Sequence, residues 1–167
     1  MPRIINTKDL SLSYDNAPMK EYEGYSSQDV AKLAGLKDFS LHVCQLKSGQ
    51  FSCPYHFHHH AEEMFVILSG VGTLRTEKGL TPVGVGDVIL FEEGKCGAHQ
   101  LANEGDDDLV YLDLRSIHAL DVCEYPDTNK VNILPARETY FKGNEAEYFE
   151  GEEKLSSIWK RLPHLSR

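Results

Sequence analysis

Hydrophobic and polar residues alternate through the middle of the chain, which is the pattern of half-buried β-strands. The first strand-like run covers residues 39–46, and a glycine-containing turn at 47–50 follows it. Seven more runs follow at short and even spacing: 53–58, 63–68, 72–76, 79–83, 87–91, 99–103 and 109–115. Glycine-containing turns separate these runs, and no helical pattern lies between them. The pattern therefore predicts an all-β fold, either a sandwich or a barrel.

The two ends of the chain carry weaker patterns. Near the beginning, Ser26 or Ser27 is placed to cap a short helix that runs to Ala34 and stops at Gly35. Near the end, apolar residues recur at helical spacing within residues 152–162, which predicts a short amphipathic helix. Such a helix would cover either the core of the β-domain or a partner.

The length of 167 residues is typical of one domain with a core of its own. We predict that the β-barrel occupies residues 39–115, with flanking segments at 1–38 and 116–167 that contain short helices. The second flanking segment is expected to pack on the barrel or on a partner.

Composition and charge narrow the function classes. A hydrophobic content of 41% and a charged content of 26% are ordinary for a globular protein. The net charge of -9 disfavours nucleic acid and anionic membrane surfaces as partners, because both require clustered lysine and arginine. No long apolar run and no leader-like segment is visible, and the 4 cysteines stand singly, without C-x-x-C spacing. We expect reduced thiols and a cytoplasmic location.

A cluster of histidines gives the strongest indication of function. Four histidines lie within residues 56–60, two acidic residues follow directly, and His99 lies further along the chain. His56 and His58 are two residues apart, so on a strand their rings lie on the same face. Imidazole and carboxylate are ligands that late first-row transition metals prefer, so the cluster predicts a metal site or a catalytic base.

The two acidic residues after the cluster have to be distinguished. On a strand Glu62 and Glu63 point to opposite faces, and each shares its face with apolar residues further along. The alternation alone therefore does not choose between them. His59 and His60, which precede them, are expected in the loop after the strand, in contact with solvent.

Glycines frame the histidine cluster and a second segment downstream. The first segment reads Gly49, six residues, His56, one residue, His58, four residues, Glu63, six residues and Gly70. The second reads Gly86, seven residues, Gly94, four residues, His99, three residues and Asn103. Together and in this order, the two segments resemble the paired motifs of the cupin superfamily of small double-sheet barrels, over residues 39–115.

Three differences separate the two segments from the family motifs. Gly49 lies one residue further from its histidine, Glu92 replaces a proline, and two additional residues precede His99. We interpret the additional residues as a longer loop at 93–98. Some single-domain cupins that also carry a Tyr-Pro-Asp stretch after the barrel, here residues 125–127, are named as sugar-phosphate isomerases.

The resemblance implies a cupin-type double-stranded β-helix, or jelly-roll barrel, with short flanking helical segments. It also implies a metal held by His56, His58, Glu63 and His99, since the six-residue gap to Gly70 favours Glu63 over its neighbour. Small barrels of this kind commonly pair, so we expect a homodimer.

Inward-facing positions of facing strands converge inside a barrel, which is consistent with such a ligand set. Three imidazoles and one carboxylate would leave coordination positions open, as a catalytic site requires. The ligand types favour Fe, Mn, Ni, Co, Cu or Zn without choosing among them.

Three functions remain open at this stage. The first is a metal-dependent enzyme, either an oxygenase or a sugar or sugar-phosphate isomerase, that acts on a small oxygenated substrate. A phosphate group would need cationic partners, and near the motifs these are Arg75, Lys95 and Arg115. The second function is a non-catalytic module that binds or senses a small molecule through the metal. The third is a storage or structural barrel in which the metal site is vestigial.

Overall fold

A computed structural model describes residues 1–14, 17–143 and 145–152 of the chain. Strands account for 45% and helices for 11% of the structure, so the predicted all-β class is confirmed. None of the helices in these ranges has the length and apolar character needed to cross a membrane.

The strands, numbered in chain order, have these bounds: β1 Leu12–Tyr14, β2 Tyr25–Ser27, β3 Phe39–Leu46, β4 Phe57–His58, β5 Glu63–Ser69, β6 Val71–Thr76, β7 Gly79–Gly84, β8 Val88–Phe91, β9 His99–Ala102, β10 Leu109–Ser116, β11 Asp121–Tyr125, β12 Lys130–Leu134 and β13 Glu138–Phe141. The single α-helix of the described residues, α1, covers Val30–Leu33. Short 3-10 turns lie at Thr7–Asp9, Lys20–Tyr22, Lys95–Gly97 and Pro126–Thr128.

The described strands form three antiparallel sheets. A six-stranded sheet has the order β1-β2-β3-β10-β5-β8, a three-stranded sheet has the order β7-β6-β9, and a four-stranded sheet has the order β13-β12-β11-β4. A bridge between His56 and His99 joins the segment before β4 to β9. The two smaller sheets are thereby connected where the predicted metal ligands lie.

The main core lies where the six-stranded sheet faces the three-stranded sheet. Inward-facing side chains of both sheets pack in one cluster: Leu46, Phe65, Ile67, Leu74, Val83, Phe91, Leu101, Leu109 and Tyr111. Leu101 and Leu109 are fully buried, at 0% exposure. Gly72 lies against these two side chains. A Cβ at this position would come within 2.6 Å of Leu109 and 2.9 Å of the Ala102 carbonyl oxygen, so there is no room for a side chain.

Each of the eight strand-like runs of the sequence corresponds to one strand, from β3 to β10 in order. The strand β3 has the predicted bounds. The prediction of the helix cap was wrong. Asp29, not Ser26 or Ser27, caps α1 by accepting a hydrogen bond from the Lys32 amide. Ser27 lies in β2 instead, where its hydroxyl accepts from the Val43 amide.

Both flanking segments contribute strands that the sequence pattern did not indicate. β1 and β2 extend the six-stranded sheet, and β11, β12 and β13 form most of the four-stranded sheet. The 3-10 turn Pro126–Thr128 connects β11 to β12. The helix predicted at 152–162 lies outside the described residues from residue 153 onward.

Replacing Leu109 by alanine should lower the free energy of unfolding by about 3 kcal/mol, within the range of about 2–5 kcal/mol for buried leucines. Leu109 is fully buried between the two sheets, so the substitution leaves a cavity. Urea denaturation followed by circular dichroism measures the change. Leu80→Ala is the control, since Leu80 on β7 is 69% exposed and should change stability by less than about 0.5 kcal/mol. Equal effects of the two substitutions would contradict the assignment of the core.

Candidate metal centre

Backbone pairing places two of the predicted ligands side by side. The His56 amide donates to the His99 carbonyl at 3.1 Å, and the His99 amide donates to the His56 carbonyl at 2.9 Å. Their imidazole centroids lie 4.7 Å apart. His58 follows in β4 and faces the same way as His56, because side chains two residues apart share a face of a strand.

The four predicted ligands come together around one carboxylate oxygen. The Oε2 atom of Glu63 lies 3.2 Å from Nε2 of His99 and 3.8 Å from Nε2 of both His56 and His58. All four side chains are buried. The neighbouring Glu62 is exposed, so the structure places Glu63 and not Glu62 beside the imidazoles.

Each imidazole is held through its other nitrogen. Nδ1 of His56 lies 3.1 Å from the Pro54 carbonyl, Nδ1 of His99 lies 2.8 Å from the Gly97 carbonyl, and Nδ1 of His58 lies 2.6 Å from Oδ2 of Asp121. An Nδ1–H that donates to these oxygens leaves the lone pair on Nε2, which is the arrangement that metal-binding histidines show.

The loop before His99 is the longer loop expected at 93–98. It contains the 3-10 turn Lys95–Gly97, and the carbonyl of Gly97 is the acceptor for His99. A Cβ at position 97 would lie 1.9 Å from the Glu92 carbonyl oxygen, so only glycine fits there. The residues that depart from the family motif therefore orient the histidine that follows them.

The charge states of the cluster suit metal binding. Burial lowers the pKa of His56 and His58, although the Glu63 carboxylate partly opposes the change. Burial alone would raise the pKa of Glu63, but His99 and the other two imidazoles outweigh it and lower that pKa to about 2. These pKa changes keep His56 and His58 neutral and Glu63 anionic at neutral pH, and this is the form in which such groups bind metals.

Two of the converging atoms have no hydrogen-bond partner among the described residues. Glu63 Oε2 and His99 Nε2 are buried without a hydrogen bond, because their 3.2 Å approach does not have hydrogen-bond geometry. Ligands about 2.1 Å from one ion lie about 3.0 Å apart in octahedral and 3.4 Å apart in tetrahedral geometry. The observed separations of 3.2 to 3.8 Å are close to these values, so the residues fit a metal ion.

Cys123 offers an alternative donor that the sequence did not indicate. Two sets of donor atoms lie within 4.8 Å of one another. One set consists of the Cys123 sulfur with imidazole nitrogens of His56 and His58, and the other consists of donor atoms of His56, Glu63 and His99. Burial raises the pKa of the Cys123 thiol to about 12. The protonated thiol is a weaker donor than the Glu63 carboxylate, so we favour Glu63 over Cys123 as the ligand that joins the three imidazoles.

Asp121, Cys123 and Tyr125 alternate along β11 and share its inner face. Asp121 holds His58, and the ring of Tyr125 stacks on His56 with centroids 5.9 Å apart. The period-two spacing of these three residues was the signal in the sequence that could have identified them. His59 and His60, in contrast, are exposed as expected.

A pocket of about 380 Å³ extends from the metal ligands into the barrel. Asp113 and Arg115, two residues apart on β10, line it together with His56, His58 and Glu63. Burial raises the pKa of Asp113 well above its usual range, and the negative charge of Glu63 raises it further. Asp113 therefore holds a proton more strongly than a solvent-exposed aspartate does, and it does so beside the candidate metal ligands.

Comparison with known families agrees with this geometry. The sequence profile of the cupin domain matches residues 42–115, which includes all four candidate ligands. The chain contains a cupin domain. The fold is thus the jelly-roll barrel expected for cupins. Comparison with curated protein sequences gives no match.

Solved structures of other cupins resemble this one over most of its length. A protein of Acidithiobacillus ferrooxidans that carries the name of a sugar phosphate isomerase is 26% identical, with a TM-score of 0.73 over 82% of this chain and 89% of that one. A cupin of Silicibacter pomeroyi, also named as a sugar phosphate isomerase, is 17% identical, with a TM-score of 0.76 over 87% and 96% of the two chains. The polyketide cyclase RemF of Streptomyces resistomycificus is 20% identical, with a TM-score of 0.59 over 71% and 81%. The last two similarities show the fold alone.

Replacing Asp121 by alanine should weaken metal binding by about 10- to 100-fold, because His58 loses the carboxylate that orients it. Competition with a chromogenic chelator measures the affinity. The matched control is Glu124→Ala on the same strand, since Glu124 lies 3.2 Å from the exposed His59 and outside the cluster. An unchanged affinity in Asp121→Ala, with the fold intact, would show that His58 is not a ligand.

Proposed function

We propose that this cupin binds a divalent transition metal through His56, His58, Glu63 and His99 and acts as a metal-dependent isomerase on a small oxygenated substrate. One observation carries the proposal: three Nε2 atoms point at the same buried carboxylate oxygen, while each Nδ1 is held by another group. A structural site would need no pocket, and here a pocket of about 380 Å³ opens at the ligands.

The metal, when bound, would act as a Lewis acid that polarises a carbonyl or hydroxyl oxygen of the substrate. The protein's own contribution is proton transfer and positioning. Asp113 lines the pocket, and its raised pKa makes its carboxylate a stronger proton acceptor than an exposed aspartate, so it can exchange a proton with a substrate oxygen or carbon. Burial of the cluster limits the access of bulk water to the reacting atoms.

The position of the Asp113 carboxyl in the pocket favours isomerisation over oxygenation. Interconversion of an aldehyde and a ketone sugar moves a proton between neighbouring carbons and needs an acid–base group beside them. Oxygenation needs a redox-active metal but has no such need for a proton donor at that position. The name carried by the A. ferrooxidans structure, which is 26% identical, supports the same reaction class.

The test combines metal analysis with an isotope-exchange assay. Protein purified without added metal should contain close to one transition-metal ion per chain. In D₂O it should then exchange a carbon-bound proton of one member of a panel of aldoses, ketoses and their phosphates, observed by NMR. His58→Ala should lose both the metal and the exchange, and Asp113→Asn should lose only the exchange.

The outcomes of this assay separate the alternatives. Oxygen consumption with an iron-loaded protein and no isotope exchange would assign the pocket to an oxygenase. Ligand binding without any turnover would indicate a binding or sensor protein. A chain that neither retains nor binds a transition metal would overturn the proposal.

We also propose that the chain is cytoplasmic. A further proposal is that it forms a homodimer through the outer face of the six-stranded sheet. Apolar residues occupy paired positions on three neighbouring strands of that face: Val88 and Leu90 on β8, Met64 and Val66 on β5, and Leu112 and Leu114 on β10. Val88 and Leu90 are 57% and 74% exposed. Contiguous apolar surface of this kind is typical of subunit interfaces, and the same patch on two copies forms a two-fold contact.

Light scattering should therefore give a mass of twice 18.8 kDa for the wild type. Leu90→Glu places a charge in the paired surface and should yield the monomer, since burying an unpaired carboxylate is strongly unfavourable. Leu80→Glu, on the exposed face of β7, is the matched control and should remain dimeric. A wild-type monomer at high concentration would exclude the dimer.

A further inference from the structure

The pocket beside the metal ligands contains an arginine that is not paired within the protein. Arg115 is half-buried on β10, opposite Glu63 in the strand register, and lines the pocket. Its guanidinium makes no hydrogen bond or ion pair with any residue in the described parts of the chain. Arginine presents its donors in a fork that fits the two oxygens of a carboxylate or phosphate.

The other two cations near the motifs do not serve this pocket. Arg75 binds Asp127 through both guanidinium nitrogens, at 2.6 and 2.8 Å, and lies over the ring of Tyr55. Lys95 is exposed in the 3-10 turn before His99 and does not line the pocket. Of the three candidates, Arg115 alone can meet an anion next to the metal ligands.

A second, outer pocket of about 290 Å³ meets the first at Arg115 and Leu134. It is lined by a second arginine, Arg137, and by His118. The side chain of Arg137 is exposed and has no ion pair with any described residue. Its backbone has a φ of 60° in the tight turn between β12 and β13, where its amide donates to the Ile133 carbonyl at 2.7 Å.

One carboxylate also lines the outer pocket, and both of its oxygens already have hydrogen-bond partners. Oδ2 of Asp121 faces Nδ1 of His58 at 2.6 Å, and Oδ1 accepts from the His60 amide at 3.0 Å. The guanidinium groups of Arg115 and Arg137 therefore have no ion-pair partner among the described residues, while the carboxyls of Glu63 and Asp113 line the inner pocket beside Arg115. A small anion held by Arg115 would lie next to the candidate metal ligands that line the inner pocket.

We propose that Arg115 and Arg137 form an oxyanion subsite, and that the substrate is a small polyhydroxylated molecule with a phosphate or carboxylate group at one end. This inference rests on the proposed function, because it assigns the substrate class of the same site. Arg115 is a binding residue for the anionic end, and Arg137 strengthens the subsite from the outer pocket. A neutral polyol of the same length would lack this contact.

Calorimetric titration of the metal-loaded full chain tests the subsite with three probes that share a carbon skeleton: glycerol 3-phosphate, glycerate and glycerol. At least one of the anions should bind more than about 10-fold more tightly than glycerol. Arg115→Gln should weaken that anion by about 10- to 100-fold, and Arg137→Gln by about 3- to 10-fold, without changing the metal content. Arg75→Gln is the matched control and should bind as the wild type does.

The anion whose affinity falls in Arg115→Gln identifies the anionic group of the substrate. A loss of affinity for glycerol 3-phosphate indicates that the substrate is a phosphate ester. A loss of affinity for glycerate indicates that it is a sugar acid. Arg115→Lys keeps the positive charge but loses the two-pronged guanidinium, so it should recover part of the affinity. If Arg115→Gln does not fold, Arg137→Gln provides a second test, because Arg137 is exposed. Equal affinity of wild type and both glutamine variants, with metal content intact, would overturn this inference and leave the metal-dependent function standing. A wild type without metal that still binds anions through Arg115 would support the subsite and count against the proposed function.

Discussion

Glu63→Ala is expected to abolish metal retention, with a loss of affinity of more than about 100-fold. The reason is that all three imidazole Nε2 atoms converge on one oxygen of this carboxylate. Loss of a residue that only supports a ligand typically costs about 10- to 100-fold, and loss of the single anionic ligand removes charge as well as a donor. Metal analysis after gel filtration, followed by chelator competition, measures the effect.

Glu62→Ala is the matched control for this experiment, because Glu62 is exposed and points to the other face of the strand. It should keep the full metal content. A second comparison is Cys123→Ser, which separates the two overlapping donor sets around His56. Full metal in Glu63→Ala together with loss in Glu62→Ala or Cys123→Ser would replace the donor set proposed here.

Acidification is expected to release the metal, with affinity falling by up to about 100-fold per pH unit once both His56 and His58 take up protons. Each imidazole contributes about 10-fold per pH unit, since a protonated nitrogen cannot bind the ion. Burial lowers the pKa of both groups below the ordinary value of 6.5, so the decline should begin below that pH and not above it. Glu63, with a pKa of about 2, stays anionic throughout this range.

The same pKa changes predict the stability of the metal-free chain. The unfolded chain binds protons at these histidines at a higher pH than the folded chain does, so folding stability should fall as pH drops below 6.5. Equilibrium dialysis at a series of pH values, with circular dichroism of the same samples, separates metal release from unfolding. Metal affinity that is constant from about pH 7 to about pH 4 would show that histidines do not hold the ion.

The strands that carry the two motifs could be predicted because each of them has one buried face. In β5 the buried residues Phe65 and Ile67 alternate with more exposed ones, and that alternation is visible in the sequence. β13 has exposed residues throughout, and β1 is exposed over most of its length, so neither gives a comparable pattern. Their strand conformation comes from hydrogen bonding to neighbouring strands, which depends on the rest of the fold.

The sequence by itself determined the all-β class and the grouping of His56, His58, Glu63 and His99 as candidate ligands, because alternation and motif spacing are local properties. Alternation did not separate Glu63 from Glu62 and only the motif spacing favoured Glu63, whereas the tertiary structure places Glu63 buried beside the imidazoles and Glu62 exposed. It also brought Asp121 against His58, 63 positions away in the chain. Contacts of this kind arise from strand pairing across the barrel, and no periodicity within a segment encodes them. The meeting of Arg115 with Arg137 where the two pockets join has the same origin.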